Sequence, residues 1–154
     1  MNDAVTTAKV ELGSPAWLAL AGGWLTEHIP ALGDVLTGVS FSMCECFTSA
    51  PAHLADEDGR AAWWFAINGP TVSFGAGARA DVDVRVDVDY DEVLPNAREV
   101  TDLDDPETLA RLEERAAARR AALGDAAADA WEALPLEVRT CLTGLHNFLA
   151  PRTA

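Results

Sequence analysis

The sequence predicts an α+β domain, an antiparallel sheet of about four strands with helices packed over one face. Three observations carry this. Residues 80–90 set Val82, Val84, Val86, Val88 and Tyr90 against Asp81, Asp83, Arg85, Asp87 and Asp89, the period-two pattern of a half-buried strand. The strand-like segments are grouped between Gly38 and Tyr90 rather than interleaved with helices, which argues against βαβ units. Apolar residues at helical spacing occupy both ends of the chain, as amphipathic helices closing over a sheet require.

Taken in order, residues 1–13 read as a loose leader, and a single domain runs over 14–150. Ser14-Pro15 supplies an N-cap and a proline at the first helical position. The helix that follows carries Trp17, Leu18, Leu20, Ala21, Trp24, Leu25, His28 and Ile29, is weakened by Gly22-Gly23 and is limited by Pro30. From Gly38 to Thr48 the period changes to two, with Val39, Phe41, Met43, Glu45 and Phe47 on one face and Ser40, Ser42, Cys44, Cys46 and Thr48 on the other. Residues 49–60, with Pro51 and Asp56-Glu57-Asp58-Gly59, are a solvated loop. Ala61 to Asn68 and Thr71 to Gly75 form a hairpin about Asn68-Gly69-Pro70, and Gly75-Ala76-Gly77-Ala78 turns the chain into the aspartate-rich strand. Helix then dominates: Asp105-Pro106 opens a segment that ends at Gly124, a short segment carries Trp131, and a last helix after Pro135 aligns Val138, Cys141, Leu142, Leu145, Phe148 and Leu149 before Pro151.

The chain has 154 residues, enough for one domain that needs no staples. Lys+Arg number 11 against Asp+Glu 25, a formal charge of −14. Such a surface repels phosphate backbones and anionic headgroups, so nucleic acid is excluded as a partner of a basic footprint. It suits a basic partner protein, with a homodimer as the other partner expected. No apolar run approaches the ~18 residues of a membrane span, and membrane insertion is not expected. Three cysteines without a secretion signal point to reduced thiols and a cytoplasmic chain.

Most of the chemistry-bearing residues have a plain structural reading. Asp87, Asp89 and Asp91 fail as the first three ligands of a calcium loop, because Glu92 then stands where glycine is needed and Arg98 where the bidentate carboxylate belongs. Cys44 and Cys46 share a face, but zinc wants about four ligands and no second pair has suitable spacing. No metal and no cofactor is therefore expected. Glu45 differs, since alternation places it between Met43 and Phe47 on the core side. A carboxyl desolvated there would have its pKa raised toward that of a general acid or base, unless a bulge turns it to solvent. His53, in the loop after that strand, is its candidate catalytic partner. Five tryptophans either fill the core or line an apolar pocket, and because Trp63 and Trp64 point to opposite faces, only one of them can line a given cavity.

The run Ala61-Ala62-Trp63-Trp64-Phe65-Ala66-Ile67-Asn68-Gly69, then Val72-Ser73-Phe74-Gly75, then Ala80-Asp81-Val82-Asp83-Val84-Arg85-Val86 resembles the sheet of the sterol carrier protein (lipid-transfer) family. The resemblance covers roughly residues 38–100. It implies a curved sheet with helices over it, enclosing an apolar tunnel for a sterol, fatty acyl chain or similar lipid. The expected function is binding of such a hydrophobic small molecule by Trp17, Trp24, Phe41, Met43, Phe65 and Phe148, with Glu45 as polar anchor. The alternatives are a cyclase, isomerase or hydrolase using Glu45 or His53 in the same cavity, and an acidic accessory subunit of a partner enzyme.

Overall fold

A computed structural model describes residues 8–154, the side chain of Arg119 apart. Its α+β architecture is a four-stranded open sheet with helices on one face. The strands are β1 (Ser40–Thr48), β2 (Ala61–Asn68), β3 (Thr71–Ala76) and β4 (Val84–Asp89), in the order β3-β2-β1-β4. β1, β2 and β3 pair antiparallel, Phe41 opposite Ile67 and Phe65 opposite Phe74. β4 runs parallel to β1, with Met43 opposite Val84 and Phe47 opposite Val88. The sheet is thus mixed where the sequence pattern predicts an antiparallel one. A parallel neighbour needs a crossover, and the chain crosses from the β3 edge to the far side of β1 before β4 begins.

The aspartate-rich segment is shorter as a strand than its alternation predicts. Residues 80–83 bend across the sheet instead of pairing, and Tyr90 begins a helix, α2 (Tyr90–Ala97). Asp89 caps it, accepting from the backbone N–H groups of Asp91 and Glu92. The Tyr90 side chain is buried and its hydroxyl donates to the Leu12 carbonyl at 2.9 Å.

The inner face carries Phe41, Met43, Glu45 and Phe47 of β1 in register with Ile67, Phe65, Trp63 and Ala61 of β2. Over it lie α1 (Pro15–His28), which buries Trp17, Ala21, Gly22 and Leu25, and α5 (Leu136–Leu149), which buries Val138, Leu142, Leu145 and Leu149. Ser14 caps α1 by accepting from the Trp17 N–H. Gly22 earns its place in the helix: a Cβ there would run into the ring of Phe74 on β3. Between α1 and β1 a 3₁₀ segment, Pro30–Leu36, seals the core with Leu36. α3 (Pro106–Leu123) and α4 (Asp125–Glu132) complete the helical layer, and Arg120 joins them through Asp125, Asp129 and Glu132.

The described part of the leader is built into this core. Val10 bridges to Thr153 in parallel, donating to the Arg152 carbonyl and accepting from the Ala154 N–H, and Leu12 is 2% exposed. Described residues on both sides of 14–150 thus pair and pack with it. Residues 1–7 of the leader lie outside the described residues. No described helix is long and apolar enough to cross a membrane.

Candidate functional site

Glu45 faces the inner side of the sheet, as alternation demands, and no bulge turns it away. It is half-buried, and its Oε1 accepts the indole N–H of Trp63 at 2.8 Å. Trp63 is the residue opposite it in register. The indole is buried, so it needs an acceptor, and the carboxylate supplies one. The other indole of this cluster is treated in the same way: Trp17 Nε1 donates to Thr153 Oγ1 at 3.3 Å.

His53 is not brought to Glu45. Its Nε2 lies 2.9 Å from both carboxylate oxygens of Glu11, in an exposed pair. The loop after β1 thus folds back toward the N-terminal segment, and His53 bonds Glu11 while Glu45 bonds Trp63.

The six aromatic and thioether residues expected around a ligand divide into two groups. Trp17 meets Trp63 edge-on at 5.2 Å, Trp63 meets Phe65 at 5.5 Å, Phe65 meets Phe41 at 6.2 Å, and Phe41 meets Trp131 of α4 at 6.1 Å. This chain of rings lies between sheet and helices, and Met43 packs half-buried against it. Trp24 and Phe148 lie instead between α1 and α5, where Trp24 stacks on His28 at 3.9 Å and the Arg152 guanidinium sits 4.1 Å from the Phe148 ring. Gly144 of α5 leaves room for the Trp24 indole.

Two openings lie at the surface of the described residues. A groove of about 330 Å³ runs between the start of β1 and the turn from α4 to α5, lined by Val35, Val39, Ala130, Ala133, Leu134 and Pro135 with Thr37, Gly38 and Ser40 at its polar rim. None of the six expected residues lines it, although Phe41 follows Ser40 directly and touches Trp131 beside Ala130. The legible signals were Pro135 and the apolar residues on either side of Gly33. Neither reveals that the 3₁₀ segment and the α4–α5 turn meet. A second cleft of about 10 Å³, room for a single water, lies among Arg111, Arg115, His146, Thr101, Thr108 and Asn96.

The outer face of the sheet is not simply the solvent side. Cys44 and Cys46 are both fully buried there, their sulfurs 3.8 Å apart. Residues 77–83 cross above them as a strap. Arg79 donates its backbone N–H to Cys44 Sγ at 3.4 Å and lays its guanidinium 4.3 Å from the centre of the Trp64 ring. Asp83 accepts from the Ser42 N–H at 2.8 Å. Burial, with the neighbouring Cys44 and a hydrogen bond to Asp87, pushes the Cys46 thiol up to about 12. No group of three or more His, Cys, Asp or Glu able to hold a metal occurs among the described residues.

Set against protein-family models, curated proteins and solved structures, the chain matches none of them.

Proposed function

We propose that the protein binds a small apolar molecule in the groove between the start of β1 and the α4–α5 turn. The observation that carries this is the groove itself, about 330 Å³ with six apolar side chains and a hydroxyl-bearing rim. Its volume lies at the lower end of the usual range for small-molecule sites, and because this open groove exposes more polar than apolar surface, its polar groups would orient a ligand whose apolar part lies on the six side chains. The resemblance of the strand sequences to the sterol carrier family supports the same ligand class, a fatty acyl chain or other lipid fragment. The acid/base alternative has less support, because Glu45 is bonded to Trp63 and His53 to Glu11. The free thiols of Cys44, Cys46 and Cys141 suit a cytoplasmic setting.

Trp131 reports on occupancy, since it lies in α4 beside the groove residue Ala130. Titration with decanoate, a long-chain acyl-CoA and a sterol is expected to change tryptophan emission and raise the melting temperature for at least one of them. The emission change should vanish in Trp131→Phe, and Ala133→Phe, which fills the groove from an exposed position, should abolish both effects. Neither signal with any of the three ligand classes would refute the proposal.

A further inference from the structure

We infer that Cys44 and Cys46 form a chelating dithiol site for a trivalent thiophilic metalloid centre, of which an organoarsenic(III) oxide is the chemical type. The site is on the outer face of the sheet, under the strap, and is independent of the groove.

The geometry, with no further ligands gathered among the described residues, suits such a guest. The two sulfurs project from the same face of the central strand and lie 3.8 Å apart. If each bonds a shared centre at about 2.3 Å, a length typical of thiolate bonds to zinc, they subtend about 110° at it. A linear two-coordinate ion at the same bond length would need sulfurs about 4.6 Å apart. Tetrahedral zinc would need further protein donors, and the described residues gather no third ligand. A disulfide would require the sulfurs to close to about 2.0 Å from positions i and i+2 of an extended strand, near the limit of acceptable Cα separation. A pyramidal trivalent centre accepts a bent pair of sulfurs and carries its third substituent with it.

The reaction is a condensation. Two S–H bonds break, two As–S bonds form, and the oxide oxygen leaves as water with both thiol protons. Arsenic stays trivalent, so no oxidant or reductant takes part.

Access depends on the strap. Both thiols are fully buried, and what covers them is held by the Arg79–Trp64 stacking, the Arg79 N–H to Cys44 bond and the Asp83–Ser42 bonds. Cys141, the remaining thiol, stands apart on α5 and serves as an internal control.

The test treats the folded full chain with phenylarsine oxide in excess monothiol, which strips single-thiol adducts, and reads the intact mass. One adduct per chain is expected, retained in Cys141→Ser and lost in Cys44→Ser and in Cys46→Ser. Arg79→Ala should speed its formation roughly fivefold, as loss of one cation–π contact allows. The same reaction in urea checks that the reagent is active. An adduct that forms only in urea, in both the wild type and Arg79→Ala, would overturn the inference, as would one that survives both cysteine substitutions.

Discussion

At the scale of single residues, the inner face shows how a charged side chain is kept in an apolar layer. Glu45 stands where a strand alternating with Phe41, Met43 and Phe47 must place it, and it answers the buried N–H of Trp63 across the strand pair. Its structural duty is thus visible in that bond. Glu45→Ala leaves that indole without its acceptor and is expected to destabilise the fold by about 1–3 kcal/mol, the usual cost of an orphaned buried donor. Glu45→Gln keeps an acceptor oxygen for the indole and should cost less. Urea denaturation of the two variants decides the matter, and equal losses would show that charge, not acceptance, is what matters at this position.

Among elements, the contact of α1 with the β3 edge depends on Gly22. A helix interior normally prefers alanine to glycine by up to about 1 kcal/mol. Here the Phe74 ring occupies the space of the missing Cβ. Gly22→Ala is expected to cost about 1–3 kcal/mol in the wild type, as overpacking does. In a Phe74→Ala background the same change should stabilise, by up to about 1 kcal/mol. Thermal unfolding of the double-mutant cycle measures the difference, and identical effects in the two backgrounds would remove Phe74 as the cause. Read only as a sequence, Gly22-Gly23 weakens a helix. The tertiary contact turns one of those glycines into a packing requirement and leaves Gly23 with open space.

For the molecule as a whole, the two ends of the described chain close on each other. Val10 pairs beside Thr153, Trp17 reaches Thr153 with its indole, and Tyr90 fixes the Leu12 carbonyl. Leu12→Ala should therefore behave as a core substitution, costing about 2–5 kcal/mol, and a fall in the denaturation midpoint at unchanged slope would report it. A midpoint equal to that of the wild type would return the segment to the leader. The same closure bears on function. α1 and α5 cover the inner face around a continuous chain of aromatic rings, and the groove proposed for the ligand lies at the margin of that core.

The sequence by itself determined the α+β class, the two alternating faces of β1 and the caps at Ser14 and Asp105. Each of these follows from local periodicity or from a side chain bonding its own backbone neighbours, whereas the unbroken register that turns Glu45 inward rather than through a bulge to solvent is a finding of the structure. Only the tertiary structure decided that β4 lies parallel to β1, that residues 80–83 leave the strand to strap the outer face, and that Asp89 caps a helix. Alternation continues through all of residues 80–90, so the pattern alone cannot show where pairing starts or stops. It likewise left open whether the tryptophans line a pocket or fill a core, because an aromatic ring suits both. In the structure Trp17, Trp63 and Trp131 join Phe41 and Phe65 in one chain of rings, and the two thiols, which alternation already sets on one face, are covered by a chain crossing that no spacing in the sequence encodes.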